Sequence, residues 1–581
     1  MNENTDTTAK QPVGADRPTY APALGLLLVC LAVGLVYALL AQDPLEDDSI
    51  HHFLMSRLLD RHGHLLVSVW GRPAITLAYF PAAQLGFFWC RLTSLAICLA
   101  ACWYTYLLAR DFGLKYAWLA GPFVFFQYQF FRLSGDLLTE PLFALLLICG
   151  IRNFILGRYP WAALQFSAGA AARPEGFFFI AFFGILFLAG AIGGRRCRRK
   201  ADVLRFIVTG ALLVSVPVVW SIAGGIIHSG GGSPDPLWLT KANAWDTELS
   251  KYGEDGPLHY IITMPYITGT VVLTLAILGF GVCLKSGRLR AVPAFWVFFL
   301  VLHTVLRTSG LYASGGYSRY FVAVAPLAGL MAVAGIGRFA RSFHWLIFTF
   351  FACVGFYLGA VPLLVRIPLF KETWVDSLIT GPGRAIGLHE YSLILLCGIA
   401  ALLAVWVLLW KRRRLGSAPY GRASVPVVLV VCLVLSVAEC AAVIRPASED
   451  ATYVLIGEFG EWLEEERPAL FEDLGSSGPR KLEAKLTLAR FYLHMKEGWD
   501  PYDDTRFGTS SIQGVESLPA GSIFVWDSDF GPGENGMSAE ELDGNVRLRF
   551  LRAFSTKRRP GWTDFHLRVY EVIGEPRGEG G

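Results

Sequence analysis

Acidic and imidazole side chains are concentrated in a short stretch after the first apolar segment of the sequence. Asp47 and Asp48 are adjacent, and His51 and His52 follow within about one helical turn. Residues three or four positions apart share a helix face, so a carboxylate and an imidazole would lie side by side. Neighbouring carboxylates at a bilayer interface repel each other and lose solvation, and both effects favour proton uptake. We therefore expect one of the pair, with a slight preference for Asp48, to accept a proton from a hydroxyl group.

Two other interpretations of this stretch remain open. Asp and His at helical spacing also suit zinc or manganese, so Asp47, Asp48, His51 and His52 are candidate ligands of a divalent metal. No HExxH or similar metal signature supports that interpretation. The third interpretation is a capped, solvated helix start with surface histidines.

Further ionisable side chains stand at the ends of apolar segments, where charge is costly and usually functional. The candidates are Asp136 and Glu140, Arg173 and Glu175, and Arg319 and Tyr320. Singly, they also fit helix capping, a local ion pair at a proline turn, and an interfacial arginine beside a belt tyrosine. Together they predict one cavity lined by arginines and carboxylates, which suits an anionic lipid headgroup beside a reacting hydroxyl.

The elements that must position these residues are membrane-spanning helices. Of the 581 residues, 54% are hydrophobic and 17% charged, whereas soluble domains carry about 25% charged residues. A span needs about 20 apolar residues. About thirteen segments are predicted as spans, near 23–41, 79–108, 116–131, 137–156, 159–172, 176–193, 203–227, 261–284, 291–306, 318–337, 345–364, 389–410 and 423–443. The first is too long for a cleaved signal peptide, so we expect an uncleaved anchor.

Clusters of basic residues predict the orientation. They lie at Arg195–Lys200, Lys285–Arg290, Arg338–Arg341 and Lys411–Arg414. Each follows an even-numbered span, so all share a side with the N-terminus, and the positive-inside rule assigns that side to the cytoplasm. We expect a cytoplasmic tail at 1–22, a transmembrane domain at 23–443 with the outer loop 42–78, and an extracytoplasmic domain at 444–581. The outer loop should carry an amphipathic helix at 48–61 that lies on the membrane surface.

The C-terminal segment differs from the rest in charge. Residues 444–581 hold 25 acidic and 16 basic side chains, a net −9, against +13 for residues 1–443. All 11 cysteines precede residue 444, so this segment must fold around a core without disulfides. Helices at 452–466 and 481–494 and strands at 522–527, 546–554 and 565–572 predict an α/β or α+β domain. Asp527, Asp529 and Glu534 fit an ordinary acidic loop or a site for a cation or sugar.

The pattern of the outer segments resembles the GT-C superfamily of polytopic glycosyltransferases, which take sugars from polyprenyl phosphates. Within this superfamily the sequence most resembles the bacterial mannosyltransferase, protein O-mannosyltransferase and aminoarabinose transferase families. The likeness covers about residues 20–340 in order. It is carried by Glu46–Asp48, Gly71–Pro73, Leu133–Leu142, Ala172–Gly176, and Ser318–Tyr320 followed by Pro326. The adjacent acidic pair departs from the Asp-Glu pair of protein O-mannosyltransferases, and MIR-like repeats are not found, so the acceptor class stays open.

The resemblance implies an inverting hexosyltransferase, with mannose as the first candidate sugar, in a bacterial cytoplasmic membrane. It implies that Asp47 or Asp48 is the base and that Asp136 matches a second acidic position. A lipid phosphate is already a good leaving group, so cations are needed rather than a general acid or an obligatory cofactor. Arg173 and Arg319 are the first candidates, with Arg72 and Arg132 in reserve. The residues expected to bind acceptor or sugar are Asp136, Glu140, Glu175, His51, His52 and Tyr320.

The predicted partners are a polyprenyl-phosphate sugar, a glycan, lipid or protein acceptor, and the bilayer, without nucleic acid. A multi-pass transporter or flippase of a lipid-linked or anionic substrate is the alternative function. No internal repeat is visible in the sequence, and its charges cluster at one interface instead of at the midplane that transporters use. A membrane scaffold that displays the C-terminal domain is the third hypothesis.

Overall fold

A computed structural model describes residues 20–40, 47–193, 200–229, 235, 237–242, 256–287, 289–309, 317–339, 424–441, 451–467, 482–484, 512–528, 530–533, 536–557 and 564–574. Within these ranges the chain is mostly helical. Five described segments are long and apolar enough to cross a membrane: Ala21–Leu40, Phe87–Asp111, Val203–His228, Ala291–Thr308 and Ser318–Arg338. The predicted spans 345–364 and 389–410 lie outside the described residues, so the count of thirteen stays a prediction, as does the orientation.

The helices of the apolar part follow one another along the chain. They are α1 (Ala21–Leu40), α2 (Asp47–Arg57), α3 (Pro73–Leu85), α4 (Phe87–Asp111), α5 (Ala120–Phe125), α6 (Tyr128–Leu133), α7 (Thr139–Ile155), α8 (Tyr159–Ala172), α9 (Glu175–Gly193), α10 (Lys200–His228), α11 (Trp238–Ala242), α12 (His259–Thr268), α13 (Thr270–Lys285), α14 (Ala291–Thr308), α15 (Ala325–Phe339) and α16 (Ser424–Ala441). Tight 3₁₀ segments lie at Gly63–Val67, Ala117–Leu119 and Ser318–Val324.

Two predicted spans are each divided at a glycine. The segment 79–108 forms α3 and α4, with Gly86 between them at a φ of 119°. The segment 261–284 forms α12 and α13, separated by Gly269 at a φ of 77°. Residues with a Cβ rarely adopt positive φ, so each glycine ends one helix and starts the next in a new direction. Hydropathy misses these breaks because apolar residues continue through them.

The prediction of one span at 116–131 is wrong. A 3₁₀ segment, α5 and α6 occupy this stretch, and the extended backbone of Gln127 separates the two helices. The Gln127 amide nitrogen donates to the carbonyl oxygens of Phe123 (3.0 Å) and Ala325 (2.8 Å). The first bond satisfies the Phe123 carbonyl group, which the Gln127 backbone amide would reach in a continuous helix, and the second ties this break to the start of α15.

The expected helix in the outer loop is present as α2, but it ends at Arg57 and does not lie as a surface helix. Its apolar residues Ile50, Phe53 and Leu54 belong to the main core of the helical part. The apolar stripe therefore packs on other helices of this chain, α3 among them, rather than into lipid. This packing holds the polar residues of α2 in fixed positions.

Close helix packing at the centre of the bundle depends on small residues. A Cβ at Gly279 of α13 would overlap the carbonyl oxygen of Met331, and one at Gly335 of α15 would overlap that of Leu275. Small residues let helix backbones approach in this way inside membranes. The bend between α12 and α13 is closed by α16, where the buried Glu439 accepts hydrogen bonds from the Thr270 amide (3.0 Å) and hydroxyl.

The C-terminal part contains a four-stranded sheet in the order β1 (Leu482–Ala484), β2 (Ile523–Asp527), β4 (Phe565–Val572) and β3 (Leu548–Thr556). The first two strands are parallel and the other pairs antiparallel. Helix α17 (Ala451–Glu466) packs Phe459 and Leu463 on one face, and the short helices α18 (Ile512–Glu516), α19 (Phe530–Gly533) and α20 (Ala539–Asp543) complete this part. The three predicted strands are confirmed within two residues. The helix predicted at 481–494 is wrong at its start, where β1 lies, because pairing with β2 overrides local helical preference.

Candidate active site

Helix α2 is tied to α3 at its C-terminal end. The Arg57 guanidinium donates to the carbonyl oxygens of Ala83 (2.9 Å) and Gln84. In return, the Gln84 amide nitrogen donates to the carbonyl oxygens of Arg57 (3.0 Å) and Ser56 (3.4 Å). The last carbonyl groups of a helix have no partner within that helix. Each helix therefore satisfies the end of the other, and the angle between them is fixed.

The N-terminal turn of α2 is held by the loop before α7. The Ser49 hydroxyl donates to Asp136 Oδ1 and accepts from the Leu137 amide at 3.2 Å. Ser49 and Asp136 are both fully buried. Asp136 was expected to bind acceptor or sugar; in the structure its carboxylate holds the residue that follows Asp48. This contact, 87 residues apart in sequence, orients the start of α2.

Asp48 forms an ion pair with Arg319, from the 3₁₀ segment before α15. The Asp48 side chain is 32% exposed, whereas that of Arg319 is 11% exposed. The guanidinium also lies over the ring of Tyr317, 4.5 Å from its centroid. The first candidate base and one of the two first candidate cations are thus in contact, and the base is the more accessible of the two.

Arg173 is enclosed by carboxylates at the turn between α8 and α9. Its Nη2 lies 2.6 Å from Glu175 Oε1, and its Nε donates to Glu175 Oε2 at 3.0 Å. Its Nη1 lies 2.6 Å from Glu140 Oε1 and donates to Thr139 Oγ1 at 2.8 Å. Burial opposes the charge, but Glu140 and Glu175 together raise the pKa of Arg173 well above its ordinary value. Arg173 is therefore a permanent cation.

The sequence of this turn explains its shape. Pro174 follows Arg173 directly, and the residue before a proline is pushed to extended backbone, which ends α8. Gly176 then lies against the backbone of Gly169 and Ala170, where a Cβ would overlap main-chain atoms. Only glycine allows the first turn of α9 to pack this closely on α8, so Glu175 returns toward Arg173.

Glu140 joins the two arginines. Its Oε1 lies 2.6 Å from Arg173 Nη1 and 3.6 Å from Arg319 Nε, and its side chain is 2% exposed. A continuous charged network therefore runs from α2 to α9, in the order Asp48, Arg319, Glu140, Arg173, Glu175. Three carboxylates and two guanidinium groups give this network a net charge of −1.

His303 extends the network and was missed in the sequence. Its Nε2 lies 3.4 Å from Glu175 Oε1, and its ring packs near Phe299 (4.4 Å between centroids) and Tyr320 (5.3 Å). It lies within α14, where an ionisable residue in an apolar segment was the available signal. Tyr320, a predicted site residue, lies beneath Arg173, whose guanidinium is 4.9 Å from the ring centroid.

His52 borders this network on α2. Its side chain is buried, and burial together with the charges of His51, Arg72, Arg319 and Arg173 lowers the pKa of His52 well below its ordinary value. The ring is therefore neutral at neutral pH. Arg72 precedes α3 with a φ of 60°, a strained conformation for a residue with a long side chain.

The structure thus brings together most of the predicted site residues: Asp48, Glu140, Arg173, Glu175, Arg319 and Tyr320, bordered by His51, His52 and Arg72. Arg132 contributes its carbonyl oxygen, which accepts from the Tyr37 hydroxyl at 3.1 Å. The Asp47 side chain is not among those that the structure describes. Among the side chains that are described, no group of three or more His, Cys, Asp or Glu could hold a metal ion.

Comparison with known proteins identifies the fold. No protein-family model matches the sequence, and no curated protein matches it. Two crystal structures of ArnT from Cupriavidus metallidurans, an aminoarabinose transferase and GT-C glycosyltransferase, are similar with a TM-score of 0.58. The apo structure is 11% identical and covers 94% of this chain and 98% of its own. The structure bound to undecaprenyl phosphate is 12% identical, with 96% and 100% covered. The chain therefore has the ArnT fold, that of an integral membrane protein.

Proposed function

We propose that this protein is an inverting glycosyltransferase that moves a hexose from a polyprenyl phosphate to an acceptor hydroxyl outside the cytoplasm. Mannose is the first candidate sugar. The observation that carries the proposal is the Asp48–Arg319 pair, which continues through Glu140 to the buried Arg173. A partly exposed carboxylate and two neighbouring cations are the groups that this reaction needs. The ArnT fold, seen in ArnT with bound undecaprenyl phosphate, supports a lipid-phosphate donor.

The proposed reaction is a single displacement. The Asp48 carboxylate takes the proton of the acceptor hydroxyl while the oxygen of that hydroxyl forms a bond to the anomeric carbon. The bond from that carbon to the phosphate oxygen breaks, and its electron pair leaves with the phosphate. Arg319 binds the departing phosphate, since a guanidinium can hold two oxygens at once. Arg173, whose guanidinium is held by Glu140 and Glu175, adds the stabilising effect of its positive charge. Attack opposite the leaving group inverts the anomeric configuration.

Arg319 has two roles in this scheme. It pairs with Asp48 in the structure, and a donor phosphate that takes Arg319 as a ligand competes with that carboxylate. Because the network already has a net charge of −1, an incoming phosphate is accommodated when Arg319 moves its charge from Asp48 toward the phosphate. Donor binding then releases the base, so that proton abstraction follows donor loading.

The remaining assignments are parts of the same proposal. Glu140 and Glu175 hold the arginines, and Asp136 orients α2 through Ser49. No cofactor is required, because the lipid phosphate leaves without an acid catalyst. The N-terminus would lie in the cytoplasm of a bacterium and the C-terminal domain outside. EDTA should leave the transfer activity unchanged. If EDTA abolished the activity and Zn²⁺ or Mn²⁺ restored it, that result would instead support a metal at α2.

The test uses the full-length protein in nanodiscs with radiolabelled undecaprenyl-phosphate mannose, and in parallel the aminoarabinose donor. Membranes from a strain of the source organism that lacks the gene supply the acceptor. Transfer of label to a new product, with release of undecaprenyl phosphate and loss of both in Arg319→Gln, is the expected result. Movement of intact labelled lipid across vesicles without bond cleavage would favour the transporter hypothesis. A product with retained anomeric configuration would exclude direct displacement.

A further inference from the structure

An exposed tryptophan stands next to the candidate base. Trp70 is 51% exposed although it is large and apolar. Its ring contacts His51 edge-on, with centroids 4.5 Å apart, and lies 5.5 Å from the ring of His52. His51 and His52 follow Asp48 by three and four residues in α2, so the three share one side of the helix. Trp70 therefore packs on the face of α2 that carries Asp48.

The backbone around Trp70 is fixed. The Gly71 amide donates to the Ser68 hydroxyl at 3.2 Å, and Gly71 lies against Met55 of α2 so closely that a Cβ would overlap its side chain. Arg72 follows at a φ of 60°. Strained backbone of this kind persists where the surrounding structure holds it, and it is concentrated at ligand sites. The Trp70 ring is therefore held in a fixed position beside α2.

His52 supplies a second, independent observation. Its side chain is 4% exposed, and its Nδ1 has no hydrogen-bond partner among the described atoms. A buried nitrogen without a partner costs free energy that a ligand hydroxyl would recover. An imidazole nitrogen can donate a hydrogen bond to a hydroxyl or accept one from it, as sugar recognition requires.

We infer that Trp70 and His52 form a subsite for a sugar ring of the acceptor. This inference rests on the proposed function and names the acceptor class as a carbohydrate, either a free glycan or the headgroup of a glycolipid. One face of a pyranose carries mainly C–H groups, which pack on the electron-rich face of an indole, while the hydroxyls at its rim reach polar side chains. In a direct displacement the base contacts the acceptor, so the acceptor belongs on the Asp48 side of the arginines.

The probe is a panel of methyl glycosides added to full-length protein in nanodiscs, with contacts read by saturation-transfer NMR. Wild type should transfer saturation mainly to the protons of one ring face. Trp70→Ala should weaken binding by about tenfold or more, and Trp70→Phe should stay within about threefold. Trp89→Ala is the matched control, since Trp89 is 49% exposed on α4. A tryptophan that only belongs to an interfacial belt would behave like Trp89.

Several results would overturn the subsite. These are a wild type that binds none of the glycosides, a Trp70→Ala protein that binds as wild type does, and a loss shared equally with Trp89→Ala. A fourth is a loss of undecaprenyl phosphate binding in Trp70→Ala, which would assign the Trp70 ring to the donor site. Since the panel contains no donor, failure of the transfer assay with intact glycoside binding would refute the proposed function and leave the carbohydrate subsite standing.

Discussion

Replacing Asp48 with asparagine should have opposite effects on turnover and on binding of the lipid phosphate. General-base catalysis contributes about 10²- to 10⁴-fold, which corresponds to about 3–5 kcal/mol in the activation barrier. Asparagine keeps the shape but cannot accept the proton. The turnover rate should therefore fall by about 10²- to 10⁴-fold. The fold should persist, because Ser49 still anchors α2 to Asp136.

The effect on lipid binding follows from the contact with Arg319. The Asp48 side chain is 32% exposed and that of Arg319 is 11% exposed, so solvent screens the pair. Partly exposed ion pairs contribute about 0.2–1 kcal/mol. In the variant the phosphate no longer competes with a carboxylate for Arg319, and the Kd for undecaprenyl phosphate should fall by about 1.5- to 5-fold. Tighter binding with slower turnover distinguishes a base from a residue that only binds substrate.

The assay combines equilibrium binding of tritiated undecaprenyl phosphate in nanodiscs with single-turnover transfer from a labelled donor. Asp60→Asn is the matched control, an identical substitution at an exposed position a few residues beyond α2. It should leave both measurements within about twofold of wild type, since screened surface charges contribute little. Transfer by Asp48→Asn within threefold of wild type would refute the role of base. Weaker lipid binding by that variant would refute the competition for Arg319.

Three further predictions follow from contacts around the site. Ser49→Ala should lower turnover about tenfold with unchanged lipid binding, because Asp136 no longer orients α2; normal turnover would argue against that role. His52 binds a proton less readily in the folded state, so its stability contribution is complete above pH 6.5 and is lost as the pH falls below that value. Thermal unfolding from pH 5 to 8 should show this loss in wild type but not in His52→Asn, and identical profiles would contradict it. Gly176→Ala should lower the melting temperature and lipid binding, because its Cβ would overlap the backbone of Ala170; a variant like wild type would contradict the packing argument.

The sequence predicts the local features of this protein well. Apolar length alone places α1 within two residues at each end, and period-two alternation gives the bounds of β4. Both signals are set within one short segment. The sequence does not predict the bends at Gly86 and Gly269, because they depend on backbone dihedral angles while hydropathy continues unchanged. It does not predict the strand β1 for a related reason, since the partner strand β2 lies far along the chain.

The site shows the same division between local and distant information. Charges at helix ends are visible in sequence because they are costly in a membrane, and Arg173 and Arg319 are predicted on this ground. Their partners were not predictable in detail. Asp48 and Arg319 are 271 residues apart, and no spacing rule reports that they meet. The role of Asp136 as an anchor of Ser49 depended on burial, which only the fold determines.

The contact of Glu439 with Thr270 constrains the order in which the protein can mature. The chain emerges from the ribosome N-terminus first, so the bend between α12 and α13 is made 169 residues before the carboxylate that closes it. Until α16 is inserted, the first amide of α13 lacks that acceptor. A nascent chain that stops before residue 424 therefore carries every member of the Asp48–Glu175 network and still has an unfinished bundle. The last described apolar helix completes the membrane part, and a shortened protein without the C-terminal sheet should retain α16.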